Sequence, residues 1–327
     1  MNETPPSESA PSAESRRRVP LWQRLLPWLI TLACFGYLFS ILNRAAAAQE
    51  SSLFPYLLQI FERVSWWQWL GMMIPYTLFF FILDTFIIWK VINWFNVKIS
   101  YMGILPIRAS AFILSLLNEQ VGKGAIALYL NRRDGIPGWE VASSMLFVMF
   151  CEFYYLTTWA TVGVLLEWQQ FPAILHSIPW IALGAVIFFV FFYLYFSGRI
   201  LKGISLREKP IFRAFRQAKL WHYLAVIAMR SPLMLLAVMI YTLALGLFGV
   251  EVSFGEMLGY LPVILFGAVL PGPMRSVAIV LWVTLFPDNP GEMSAFGFVQ
   301  HNFFIFFNAS IGLLFLRRAN RELFGAR

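Results

Sequence analysis

Acidic and basic residues interrupt stretches of this chain that are otherwise too apolar to hydrate them. Asp84, Arg108, Glu152 and Arg230 each sit among Phe, Ile, Leu and Val, and His301 lies in a further apolar run. An ionisable side chain at the centre of a bilayer costs roughly 2.5 to 3.5 kcal/mol, so each needs a partner or a purpose. The bland alternative is structural pairing, for instance of Glu152 with Arg230. Two short segments point instead to chemistry. Asn118-Glu119-Gln120-Val121-Gly122-Lys123-Gly124 and Leu270-Pro271-Gly272-Pro273-Met274-Arg275 each put one base beside helix-breaking residues. A helix broken at membrane depth exposes backbone N–H groups, and free N–H groups beside a base favour an anion such as phosphate. Gly122, Gly124 and Gly272 would let backbone or ligand come close. The candidate binding residues are therefore Asn118, Glu119, Gly122, Lys123, Gly124, Pro271, Gly272 and Arg275. Asp84, Arg108, Glu152, Arg230 and His301 are the candidate intramembrane charge partners.

The elements that must position these residues resemble each other at a fixed offset of 153. Without gaps, Ser100 falls on Ser253, Leu117 on Leu270, Ala125-Ile126 on Ala278-Ile279, Leu128 on Leu281, Pro137-Gly138 on Pro290-Gly291 and Ala142 on Ala295. Duplicated, interrupted membrane segments are a transporter signature. Ala125 to Leu130 is far shorter than the about 20 residues a span needs. The expectation is a re-entrant hairpin over about 99–135 that breaks near Asn118 to Gly124, and a second over about 252–288 that breaks at 270–275.

Composition sets the broad class. Of 327 residues, 59% are hydrophobic and 18% aromatic, and the mean hydropathy is +0.68, more apolar surface than a soluble fold of this length could hide. The chain reads as a polytopic membrane protein. The net charge of +8 suggests nucleic acid at first sight, but the bases cluster beside apolar spans, where orientation in a bilayer explains them. Residues 1–19 read as a disordered cytoplasmic tail rich in Pro, Ser and Glu. Residues 20–320 form one transmembrane domain, and 321–327 a second cytoplasmic tail. Full spans are expected at about 21–42, 66–95, 139–166, 178–197, 220–249 and 293–316. Residues 51–64 read as an interfacial helix with Leu57, Leu58, Phe61 and Val64 on one stripe.

Charge then gives the topology. Arg199, Lys202, Arg207, Lys209, Arg213, Arg216 and Lys219 mark an inner loop, partly helical, and Arg317-Arg318 an inner carboxyl end, whereas 287–292 holds acids and no base. Both termini are expected in the cytoplasm, in a bacterial inner membrane. Three crossings separate the hairpins, so the second enters from the side opposite the first. The expected fold is an all-α membrane protein of six full transmembrane helices plus two re-entrant hairpins in an inverted repeat.

Other motifs carry less. Gly255 and Gly259 make a GxxxG, read as packing within the second hairpin. His176, His222 and His301 are scattered, Cys34 and Cys151 lie in apolar runs, and neither a metal site nor a cofactor is expected.

At the two hairpins the chain resembles the lysylphosphatidylglycerol synthase transmembrane family, a flippase-like integral membrane group. Asn118, Gly122, Lys123, Arg132, Arg133, Gly135 and Ala142 fit the first family motif, and Leu270, Pro271 and Gly272 the second. No Pro accompanies Asn118. Met274, Arg275 and Ser276 stand where the family usually has glycines, and the glutamate that follows them there is missing. In multidomain relatives this module is associated with moving an aminoacylated anionic phospholipid between leaflets, and a separate soluble domain makes that lipid. The resemblance therefore implies lipid transport or lipid binding.

Three readings follow. The first is a transporter or flippase of an anionic phospholipid or lipid-linked phosphate, its headgroup held between the hairpin breaks. The second is an intramembrane enzyme acting on lipid or isoprenoid headgroups, with Glu119 as its acid or nucleophile. The third is a non-catalytic membrane scaffold. The expected partners are anionic membrane lipids and a second copy of the chain, not nucleic acid.

Overall fold

The computed structural model describes residues 21–115, 119–201, 203, 205–269 and 276–324, and among these every regular element is helical. Six helices are long and apolar enough to cross a membrane, which makes this an integral membrane protein. They are α1 (Leu21–Ala48), α3 (Trp66–Phe95), α6 (Gly138–Leu166), α7 (Ile178–Phe196), α9 (Leu220–Leu247) and α12 (Pro290–Phe324). Between them lie the shorter α2 (Leu53–Arg63), α4 (Tyr101–Ser115), α5 (Glu119–Asp134), α8 (Arg213–Gln217), α10 (Phe254–Val269) and α11 (Ser276–Leu285). Tight 3₁₀ turns at Ser205–Glu208 and Pro210–Phe212 lead into α8, so the basic segment is helical in part, as its sequence suggests. The expected tail 1–19 and residues 325–327 of the second lie outside the described residues, while 321–324 continue α12.

Local chemistry sets the helix boundaries next to the short elements. Asn93 staples the α3–α4 turn: its amide nitrogen donates to the carbonyls of Trp89 (2.8 Å) and Ile99 (3.1 Å), and its oxygen accepts from the Ile99 N–H. Gly135, at φ +69°, ends α5 in the left-handed conformation that glycine adopts freely. Asn131 seals the same turn by donating to the Ile136 carbonyl at 2.7 Å. At the start of α10, Ser253 and Glu256 cap each other's backbone N–H groups reciprocally, at 3.0 and 2.8 Å.

Packing follows a cross-over pattern. The first short helix of each pair packs most extensively on a long helix from the other part of the chain, α4 on α12 and α10 on α6. Glycines permit this closeness. A Cβ added at Gly312 in α12 would meet the Ala109 carbonyl of α4, and one at Gly163 in α6 would meet the backbone of Gly259 in α10. Gly255 abuts Glu167. The GxxxG of α10 therefore serves the contact with α6, not contacts within its own pair, because the small faces of two helices must meet for backbones to approach.

The buried stripe of α2 is also shifted by one residue from expectation. Tyr56, Ile60 and Val64 are buried, with Leu57 and Phe61 packed beside them, while Leu58 faces outward. Tyr56 wins the inner position because its ring presses on Gly291 at the start of α12.

Candidate functional site

Four helices bring the isolated charges together. Asp84 of α3 sits between Arg108 of α4, whose Nε donates to it at 2.6 Å, and Arg230 of α9, whose guanidinium lies 3.5 Å away. Arg230 also reaches Glu152 of α6 at 3.4 Å. The pairing of Glu152 with Arg230 is thus present, but as one arm of a four-residue layer. Asp84, Arg108 and Arg230 are each 5% exposed or less, so the charges lie out of reach of bulk water. Among the described residues two cations meet two anions here, and such pairing is what a low-dielectric setting demands. Arg108 is further fixed by the Phe112 ring, 4.1 Å beneath its guanidinium.

Above this layer opens a cavity of about 210 Å³, lined by α3, α4, α6, α9, α10, α11 and α12. Arg108, Glu152 and Arg230 form its charged end. Its other end is neutral and aromatic. The Tyr241 ring stands edge-on to Tyr76 at 5.8 Å and stacks with Trp282 at 6.1 Å, and Gln300 donates to the Tyr241 hydroxyl at 2.7 Å. His301, Gln300 and Asn308 present polar groups from α12, and Leu261, Ile264 and Leu265 an apolar wall from α10. Ser115, at the end of α4, and Ala278, in the first turn of α11, also line this space.

The expected binding residues divide into two groups. Asn118, Pro271, Gly272 and Arg275 lie outside the described residues, as do the side chains of Glu119 and Lys123. Where the backbone is described it corrects one expectation: α5 is helical from Glu119 onward, so Gly122, Lys123 and Gly124 lie in a helix and not in a break. Gly122 is tolerated there because it packs against α4, where an added Cβ would meet the Ala111 carbonyl at 2.8 Å. The destabilisation glycine brings to a helix is offset by that contact. Gly124 has nothing near an added Cβ and is exposed. Of the expected charge partners, Arg108, Glu152, Arg230 and His301 line the cavity, and Asp84 lies just behind it.

Tyr76, Tyr241, Trp282 and Gln300 were not singled out by sequence reasoning. Aromatic residues in apolar spans are too common to stand out, since membrane spans carry them at both interfaces. Gln300, beside His301 in an apolar run, is the signal that could have found this end of the cavity. Among the described residues no group of three or more His, Cys, Asp or Glu could hold a metal ion. Comparison with protein families, curated proteins and solved structures finds no match to this chain. Fold and site together define a helical membrane protein with an internal cavity, charged at one end and aromatic at the other.

Proposed function

We propose that the chain is a transporter of an anionic phospholipid or lipid-linked phosphate, built as an inverted repeat and related to the lysylphosphatidylglycerol synthase transmembrane family. The observation that carries this reading is the cavity. It is lined by α4, α10 and α11 of the short helices, offers guanidinium groups at one end and is otherwise mostly apolar. Its volume suits a headgroup, while acyl chains remain in the bilayer.

Helix positions support the inverted repeat. Shifted by 153, α3 falls on 219–248, against Leu220–Leu247 for α9; α4 falls on 254–268, against Phe254–Val269 for α10. The same shift takes α6 to 291–319 within α12, and α2 to 206–216 among the turns that lead into α8. The exchange of partners, α4 on α12 and α10 on α6, is what a two-fold relation between halves generates. Opposite entry has support too. Arg318 donates to the Met102 carbonyl, which puts the start of α4 at the end where α12 finishes. Gly255 abuts Glu167, which puts the start of α10 at the end where α6 finishes. At 15, 16, 16 and 10 residues, α4, α5, α10 and α11 are each too short to cross, as re-entrant arms are.

Orientation follows from charge. Lys90, Arg132, Arg133, Arg213, Arg216, Arg317 and Arg318 gather at one end, and Glu167, Glu251, Asp288 and Glu292 at the other. The positive-inside rule favours a cytoplasmic basic end, and with it both termini on the cytoplasmic side of a bacterial inner membrane.

The test is leaflet exchange in proteoliposomes with fluorescent phosphatidylglycerol and a polyprenyl phosphate as probes. Exchange should accelerate with protein, and fall to the protein-free rate in the Lys123→Ala, Arg275→Ala double variant. If neither probe moves faster, or the double variant is as active as the parent, the reading is wrong.

A further inference from the structure

The charged layer faces a second space. On its far side lies a smaller cavity of about 40 Å³ that shares Phe80, Arg108, Glu152 and Arg230 with the large one and adds Asp84, Ile88, Met145 and Val148. The order of residues along the helices shows that the two spaces are stacked. On α3 the large cavity takes Tyr76 and Phe80, and the small one continues to Asp84 and Ile88. On α6, which starts beside the end of α3 through the Ser144–Asn96 hydrogen bond, the order reverses. Met145 and Val148 line the small cavity, Tyr155 and Leu156 the large one. On α9, antiparallel to α3 by the Trp94–Trp221 and Trp66–Phe248 ring contacts, Leu233, Ala237 and Tyr241 follow Arg230 into the large cavity. Three helices agree that the charges form a partition across the path between two voids.

The two arginines in that partition are held differently. Arg108 makes a 2.6 Å bond to Asp84 and rests on Phe112. Arg230 makes longer contacts, 3.4 and 3.5 Å to the two acids and 6.0 Å to the Tyr155 ring, and among the described residues its buried Nε has no hydrogen-bond partner. A guanidinium has five N–H donors in a fixed fork. One buried with long contacts and an orphaned donor gains from any anion that completes its shell.

We propose that this layer is a gate and that Arg230 is its moving part, leaving Glu152 and Asp84 to bind an anionic headgroup that enters the large cavity and so joining the two voids. The identity of that headgroup rests on the transport reading above; the gate itself rests on the stacked cavities and the unequal arginines. Arg108 stays with Asp84 as the fixed post.

Thiol accessibility tests this without any transport readout. In a Cys34→Ser, Cys151→Ala background, single cysteines are placed at Ala237 for the large cavity and Val148 for the small one. A charged thiol reagent is confined to the face of sealed vesicles that carries Asn289, a face verified by labelling Asn289→Cys. In the otherwise unaltered protein, Val148→Cys should react at least about ten-fold more slowly than Ala237→Cys, the protection a closed barrier gives. The paired Glu152→Gln, Arg230→Gln variant removes one charge of each sign and should bring the two rates within a factor of about three. Short-chain phosphatidylglycerol added to the same face should raise Val148→Cys labelling in the parent, and short-chain phosphatidylcholine should not. Equal rates at both sites in the parent, or no gain at Val148→Cys in the paired variant while Ala237→Cys still reacts, overturn the gate. An Ala237→Cys that never reacts overturns it as well. A gate that opens in the paired variant but ignores phosphatidylglycerol leaves the partition standing and overturns the anionic trigger. Absence of lipid exchange with these labelling changes intact would count against the transport reading alone. Monodispersity of every variant on size exclusion, and labelling of Asn289→Cys in each, exclude misfolding as the cause of a rate change.

Discussion

At one end of the large cavity, Arg108, Glu152 and Arg230 share charge with Asp84 across four helices; at the other, Tyr76, Tyr241, Trp282 and Gln300 meet through rings and a neutral hydrogen bond. The forces differ in kind. Coulombic attraction at low dielectric is strong but unforgiving, because removing one partner strands the other without water. Edge-on and offset ring contacts are worth about 0.5 to 1.5 kcal/mol each beyond their buried area and tolerate small rotations. The charged end is thus a barrier with discrete states, and the aromatic end a soft closure. A cavity bounded this way can open its two ends by different means.

Substitutions can break or sharpen that contrast. The largest effect is expected for Arg108→Leu, which leaves Asp84 without its 2.6 Å partner. Breaking a buried pair costs about 3 to 5 kcal/mol, enough to lower the thermal midpoint in detergent substantially. A loss no larger than that of an aromatic-end variant would erase the distinction between the ends. Glu152→Gln is next. It removes one long contact from Arg230, and the expected loss is about 1.5 to 3 kcal/mol, the range for a hydrogen bond to a charged group. Unfolding of Arg108→Leu and Glu152→Gln side by side measures how unequally the two arginines are held. Tyr241→Phe deletes the acceptor of the Gln300 bond while keeping the ring. About 1 kcal/mol should be lost, and a loss of charged-end size would mean that the aromatic closure is more rigid than its geometry implies. Asn308→Leu should change least. Its side-chain oxygen is buried without a partner, and its nitrogen only donates back to Phe304 one turn earlier. Removing a dissatisfied polar group offsets the lost bond, so stability should stay within about 0.5 kcal/mol of the parent.

Much of this architecture was legible in the sequence. Unbroken apolar runs bounded by aromatics and bases gave six crossing helices whose observed bounds mostly fall within a few residues of expectation, because length and hydropathy are what the bilayer selects. The exceptions are the ends of α1 and α12, which run on to Ala48 and Phe324 through Arg44 and Arg317-Arg318, where charged residues still suit a helix outside the apolar layer. The buried charges were legible as individuals, each costly enough to stand out. Their assembly into one layer was not, since which of two acids an arginine meets depends on helix rotation, and rotation leaves no trace in composition. Gly122 misled in an instructive way. A glycine in an apolar run signals either a break or a close helix contact, and only the Ala111 carbonyl of α4 beneath it decides for the contact. The GxxxG of α10 was read correctly as packing but with the wrong partner, since the complementary Gly163 lies some ninety residues earlier in the chain.

The exchange of partners between early and late helices bears on how the protein is made. The hydroxyl of Tyr129, at the foot of the α4–α5 pair, donates to the Ala319 carbonyl 190 residues further along. At about 5 to 20 residues per second, α4 and α5 wait roughly 10 to 40 s after synthesis before α12 exists to cover them. Throughout that interval Arg108 can already meet Asp84, which precedes it in the chain, and Arg230 of α9 is made midway, still ahead of α12. A nascent chain halted before Pro290 should therefore depend on a holding factor in the membrane, and release only when the last helix arrives.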